Sequence, residues 1–206
     1  LVRSLANSVK FDAKTADIIR LELEFLANTN ELRTGAEGLK AGTRPTLVDA
    51  DAFNSTSDVA YTKMAIVTAG VAAPSPLFSF FTDLTMEVKN NVKQNKAVSV
   101  LGAFDSTPGF FQVQSTVVAY FTDVAEIQAV RDNKTVTLET HLVKFNKGLT
   151  LDLPCLTMSK ALADVKLNEA IMIPLGADAA AGTAVDASLN HTLLWVFWDY
   201  LPTVAA

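Results

Sequence analysis

The residues best equipped for metal or nucleophilic chemistry are few: two histidines, His141 and His191, and one cysteine, Cys155. A metal site needs His, Cys, Asp or Glu clustered at ligand spacing. His141 and His191 lie far apart in the chain, and neither has a His or Cys neighbour at such spacing, so each reads as an ordinary strand histidine. Cys155 has no Cys-x-x-Cys partner and follows Pro154 in an apolar run, the setting of a buried structural thiol rather than a nucleophile. Gly35, Gly38 and Gly42 do not have the spacing of a phosphate loop, and no Gly-Lys-Ser or Gly-Lys-Thr follows them. Neither a Gly-x-Ser-x-Gly elbow nor a His-Glu-x-x-His pair occurs. Asp49 and Asp51 are close together, but on a stretch that reads as solvated loop. The expectation is a protein that is not an enzyme, with no cofactor and no metal.

Aromatic residues are the other candidates. Trp195, Phe197, Trp198 and Tyr200 are crowded together, as are Phe78, Phe80, Phe81, Phe110 and Phe111. Such groups fill a core or anchor a subunit contact, where Trp and Tyr are enriched. Trp195, Trp198 and Tyr200 are the expected interface aromatics. Stacking of single-stranded nucleic acid would need accompanying Lys and Arg, which these segments lack.

The elements that would position these residues are mostly strands. Asp17–Leu26 alternates strictly, with Ile19, Leu21, Leu23 and Phe25 expected on a core and Arg20, Glu22 and Glu24 opposite. Further strands are expected at Tyr61–Thr68, Phe80–Asn91, Ala97–Phe104, Phe110–Phe121, Thr135–Phe145, Leu149–Met158, Leu162–Pro174 and His191–Tyr200. Phe111, Val113, Val117 and Phe121 would share one face. Turns are expected at Gly70–Pro76, Asp105–Gly109 and Asn146–Gly148. Pro154 marks an edge or bulge. The last strand is apolar on both faces and should be covered on both sides. The one helix is Asp123–Asn133, with Asp123 as N-cap, Glu126 three residues on, and Val124, Ile127 and Val130 on a shared face. Residues 30–58 form a long aperiodic loop, of the kind that reaches a neighbour. Residues 176–189 form an Ala-rich loop. The fold class is mainly β: an antiparallel β-sandwich or partly closed barrel with one short helix, read as a single domain over 1–206.

With 206 residues the chain can bury a core without disulfide staples. Half of the residues are apolar and only 19% are charged, which is expected where surface is buried against other subunits. The most apolar run, Leu193–Trp198, is far too short to span a membrane. No signal peptide is visible, and the sequence begins at Leu1 rather than Met, as it would if an N-terminal piece were missing or processed. The single thiol fits an intracellular assembly site. A net charge of −5 argues against a DNA binder that grips phosphates through a basic face.

The order of elements carries a resemblance. A strand runs into Asn90-Asn91, and the next reaches Gly102. Gly109 leads into a long strand ending in Tyr120-Phe121, and the single helix follows. Then come a strand, a turn at Lys147-Gly148, a strand carrying Leu153-Pro154, and a long strand ending at Pro174. The central and C-terminal two-thirds of the chain resemble the tube subunits of long-tailed bacteriophages; Leu1–Tyr61 matches less well. The resemblance implies a virion protein assembled in the host cytoplasm. Its subunits close into hexameric rings, their strands join into one barrel around a channel, and stacked rings make the tail tube. It also implies partners: other copies of itself, the tape measure, tail tip and terminator proteins, and double-stranded DNA that passes through the lumen unbound. An acidic wall would repel phosphate, and Glu87, Asp152, Asp164 and Glu169 are the candidates to face the lumen. Residues 30–58 would contact an adjacent subunit or ring. Competing readings are another β-sandwich virion component, such as a decoration or head-completion protein, and a monomeric surface-binding module.

Overall fold

The computed structural model describes residues 2–29, 34–35, 46, 51–71, 74–78, 80–161 and 167–199. The strands, in chain order, are β1 (Val2–Lys14), β2 (Arg20–Thr29), β3 (Val59–Ile66), β4 (Ser75–Phe78), β5 (Phe81–Lys89), β6 (Lys93–Asn95), β7 (Asp105–Thr107), β8 (Gln112–Tyr120), β9 (Thr135–Lys144), β10 (Lys147–Ala161), β11 (Met172–Ala180) and β12 (Leu194–Trp198). The helix α1 (Val124–Arg131) lies between β8 and β9. Every strand pairing is antiparallel. One sheet runs β2-β1-β5-β8-β11-β10-β9-β3-β4, with β12 added to β10, and β6 and β7 form a separate two-stranded ribbon.

The long strand β10 doubles this sheet over. Its first part pairs with β9 on one side and β12 on the other, and its later part pairs with β11. The register against β9 shifts between Leu153 and Leu156, where Pro154 has no N–H to give to the ladder. Past that irregularity the strand pairs with β11 from Cys155 onward while still holding β9 at Leu156 and Thr157, and so passes into the other layer. Leu84 and Met86 of β5 therefore face Leu138 of β9 and Leu151 and Leu153 of β10 across a small internal space, although β5 is bonded to neither strand. Phe11, Val113, Val117, Val136, Leu142, Leu156, Ile173 and Leu175 complete the buried core. Each such side chain contributes about 1.5–3 kcal/mol through burial.

Helix α1 begins as its sequence dictates. Asp123 accepts from the Ala125 N–H at 3.0 Å, and the buried Glu126 carboxylate accepts from the backbone N–H groups of Thr122 at 3.0 Å and Asp123 at 3.3 Å. The Thr122 hydroxyl also donates to Glu126. Replacing Glu126 with alanine orphans these donors and should destabilise the fold by about 1–3 kcal/mol, measured by denaturant unfolding. A cost near zero would mean that water replaces the carboxylate.

Several expected elements fall elsewhere. The N-terminal strand β1 is one that alternation does not reveal, because the register shift between Ala6 and Ser8 breaks its phase. Ala97–Phe104 is not a strand but the turn-rich tip of the β6–β7 ribbon, and Asp105–Thr107, expected as a turn, is β7. β4 begins at Ser75, inside the expected Gly70–Pro76 turn, and tolerates Pro76 because it is an edge strand. Leu167–Glu169 is a turn, and β11 runs instead through Gly176–Ala180 of the expected Ala-rich loop. Pairing to β8 and β10 on both sides overrides the weak β-propensity of those small residues. The 162–166 part of the expected strand lies outside the described residues. Of the residues expected to share a face, Phe111 and Val124 are exposed, whereas Val113, Val117, Ile127 and Val130 pack on or in the core. The hairpin turn between β9 and β10 is Phe145-Asn146, both with positive φ, the form that suits the twist of the flanking strands.

Candidate functional site

The outward face of β2, β1, β5, β8 and β11 is a polar wall. Cross-strand register sets Glu22, Lys10, Glu87, Gln114 and Asp178 in one row, with Arg20, Asp12, Thr85 and Thr116 in a row on one side and Glu24, Ser8, Lys89 and Gln112 on the other. Side chains on a shared face interact along such rows. The Lys89 ammonium sits 2.9 Å from Glu87, Gln114 donates to Asp178 at 2.9 Å, and the Thr85 hydroxyl donates to Asp12 at 3.1 Å. Hydrogen bonds from Asn7 and then Ser8, at 2.6 and 2.9 Å, hold the Glu24 carboxyl below its ordinary pKa. These three rows carry five carboxylates and three cations, so the wall is acidic overall.

Beside this wall lies an apolar row on the opposite face of β2. Leu21, Leu23 and Phe25 share that face, and each is about half exposed. Alternation places them where a core is expected, but only Ile19, just before the strand, packs against it. The layer extends past the layer that faces it, so no described element covers them. The outer edge of β2 has no strand partner among the described residues. A ten-residue edge with an apolar face and no proline is a template for pairing with another chain, which solitary proteins avoid.

Glu87 belongs to the polar wall, but Asp152 does not. Asp152 is on β10 beside Glu139 of β9, in the opposing layer, so the two acids point outward in opposite directions. Around Asp152 is a cluster of chemistry-bearing side chains. His191 approaches Asp152 at 3.2 Å, and His141 approaches Glu139 at 2.6 Å and the Thr150 hydroxyl at 3.1 Å. The Tyr61 ring packs on His141 with centroids 4.3 Å apart, and burial, followed by Glu139, raises its phenol pKa. Each histidine is occupied by its own carboxylate, and among the described residues no three such groups are arranged to hold a metal ion. Cys155 is buried, which pushes its thiol pKa up and makes it a poor nucleophile. Glu169 lies exposed in the connection before β11, and Asp164 lies outside the described residues.

Of the interface aromatics, Trp195 is half-buried against the core and stacks on Phe197 at 5.9 Å, while its Nε1 is buried without a partner. Trp198 lies over Gly148, where any side chain would collide with its ring, and donates to the Thr150 hydroxyl at 3.4 Å. Tyr200 lies outside the described residues. The final strand is not covered on both sides as expected, because Leu194, Val196 and Phe197 are exposed.

Most of the 30–58 loop also lies outside the described residues, but its exit is clamped. The Asp58 carboxylate accepts from the Asn54 N–H at 2.7 Å and pairs with the Lys144 ammonium at 3.1 Å, while its backbone carbonyl accepts from Val143 N–H at 2.7 Å. The Asn54 bond, followed by Lys144 and Ser57, holds the carboxyl below its ordinary pKa. A depressed carboxyl pKa stabilises the fold above the unfolded-state value of about 4, and that contribution is lost as pH falls through the lower folded-state value. Asp58→Asn should therefore melt below wild type at pH 7, with the gap closing under strongly acidic conditions. An equal gap at both pH values would contradict this origin.

The family model described as phage tail tube protein matches residues 4–190. A search of the curated proteins found no match. The matched span includes the polar wall, the apolar row of β2 and the β6–β7 ribbon. The family is structural rather than enzymatic, and its members are components of the virion tail that assemble with themselves and with other tail proteins. None of the described helices is long and apolar enough to cross a membrane. The polar sheet face, a strand edge with no strand partner among the described residues and a match covering most of the chain agree: this protein belongs to the phage tail tube protein family.

Proposed function

We propose that the chain forms hexameric rings that stack into the tail tube, and that the polar wall lines the channel through which DNA is ejected into the host. The supporting observation is that one layer combines a continuous polar outward face with, at each of its ends, a strand edge that has no strand partner among the described residues. One edge is β2. The other is the tail of β10, Met158–Ala161, which among the described residues pairs only with β11. Two different edges at opposite ends of one layer make a heterologous contact, which closes into a ring when the rotation between copies is right. In this reading β2 of one subunit adds to the β10 tail of the next, and the six layers become one barrel. The apolar row of β2 is buried in the same step.

Glu87 then faces the lumen together with Glu22 and Asp178. Asp152 faces the outside of the tube. Asp164 and Glu169 are the other acids proposed to face the lumen. A wall in which carboxylates outnumber cations, and in which Lys89 is already paired with Glu87, offers phosphate little to bind, so DNA slides without being held. The partners are further copies of the chain, the tape measure, tip and terminator proteins, and DNA in transit. Assembly takes place in the host cytoplasm, the 30–58 loop contacts a neighbouring subunit or ring, and Trp198 and Tyr200 sit at subunit contacts. Negative-stain images of the purified protein should show long hollow tubes. Isolated particles would favour a decoration or head-completion role instead.

A further inference from the structure

The connection between β5 and β8 makes a long excursion where a tight turn would suffice. It builds the β6–β7 ribbon, whose tip carries Val98, Val100, Leu101 and Phe104. Val98 is 96% exposed and Leu101 95%, values typical of an unfolded chain rather than a folded surface. The ribbon is nevertheless firmly built. The buried Asn28 at the end of β2 accepts from the Ala103 N–H at 2.9 Å through its backbone carbonyl and from the Ser106 hydroxyl through its side chain. Gln94 donates to the Ala27 carbonyl at 2.7 Å. Gly102, at φ 86°, lies so close to the Asn28 carbonyl that no side chain would fit. The apolar tip is thus held out rigidly, with little ordering left to do on contact.

At the far end of the same layer, about 30 Å away along the nine residues of β5, is an open cleft of about 650 Å³. It lies between the end of β1 and the starts of β3 and β5, and Ala13, Ala60, Phe80, Phe81, Leu84 and Leu142 supply its apolar lining. We propose that the cleft receives the β6–β7 tip of a second copy of this chain in the next ring, so that the ribbon is the plug that stacks rings. This rests on the tube reading above and names the contact that joins one ring to the next.

Three observations favour a second copy as the occupant. The four tip side chains together present several hundred Å² of apolar surface, as large as the biggest patch a lone protein usually leaves exposed and in the range one partner contributes to a small stable contact. The charges match: exposed Lys96 and Asp105 flank the tip, and Asp83 and Lys14 sit at the cleft. The plug also continues from the edge already assigned to the ring contact, since it is anchored on the last residues of β2. Plug and socket are different surfaces at opposite ends of one subunit, so the contact cannot close on itself as a pair. It repeats head to tail and gives the tube a direction.

The test is cross-linking of a Leu101→Cys/Ala60→Cys double variant of the full chain with a short bismaleimide after assembly. Both positions are exposed, and native Cys155 is buried and silent. The proposal predicts a ladder of multimers from the double variant and monomers from either single variant. Dimers from Leu101→Cys alone would mean that tips meet tips, and would overturn it. Tubes that form without cross-links would overturn it while leaving the tube reading intact, whereas unmodified protein that makes no tubes would overturn the tube reading itself. A second variant, Leu101→Asp, should keep the wild-type melting temperature and shorten tubes at least tenfold; tubes of normal length would contradict the plug.

Discussion

Replacing Leu23 with aspartate should leave a folded subunit that no longer forms rings. Leu23 is 57% exposed in the single chain, so a carboxylate there remains in water and costs the monomer little. In the proposed ring the same side chain is buried among Leu21, Phe25 and the neighbour. A buried, unpaired carboxylate costs several kcal/mol, enough to weaken each subunit contact by a hundredfold or more. Closing a ring multiplies that penalty over every contact. Sedimentation should show a monomer with an unchanged melting temperature. Normal rings from the variant would mean that the apolar row of β2 is not at the contact.

The second large effect concerns the wall. Changing Glu22, Glu87 and Asp178 to lysine together reverses the charge of one row while leaving its backbone pairing alone. The pairs lost, such as Lys89 with Glu87, are partly exposed and contribute at most about 1 kcal/mol each. Tubes should therefore still assemble. DNA in them should now be held by phosphate contacts, and its release should become strongly dependent on salt. Six to ten such contacts change affinity roughly 10³- to 10⁵-fold between 50 and 200 mM salt. Phage carrying the triple variant should eject DNA slowly at low salt and recover as salt rises. Ejection at the wild-type rate at every salt concentration would remove these residues from the lumen.

How far the sequence reveals this depends on the kind of signal. Helix α1 is legible to its cap, because Asp123 and Glu126 act within one turn and need nothing distant. β9 and β8 are legible because one face of each is buried under the opposing layer, which enforces period two. β1 is not, since its single large core residue is Phe11 and a register shift breaks the pattern. The sequence pattern favours Leu162–Pro174 over β11 because Gly176–Ala180 is composed like a loop and is held as a strand by its two neighbours.

The candidate site divides in the same way. That Leu21, Leu23 and Phe25 share a face is a local fact, and the sequence states it. What covers that face is not local: core and subunit contact select the same residues. Gln112 and Gln114 alternate with Val113 and so lie on one polar face of β8, but only cross-strand register joins them to Lys10, Glu87 and Asp178. Register also separates Glu87 from Asp152, which as acidic residues in strands look alike in the sequence. The β6–β7 ribbon was hidden because Val98 and Val100 alternate like a strand, while Gly102 and the bonds to Asn28 impose a turn.

The most direct test of the central claim is a helical reconstruction of the assembled tube at side-chain resolution. The account predicts a lumen lined by the row Glu22, Lys10, Glu87, Gln114 and Asp178, with β2 of each subunit hydrogen-bonded to its neighbour. A lumen lined instead by Tyr61, Glu139, His141 and Asp152, with the edge of β2 left free, would contradict it.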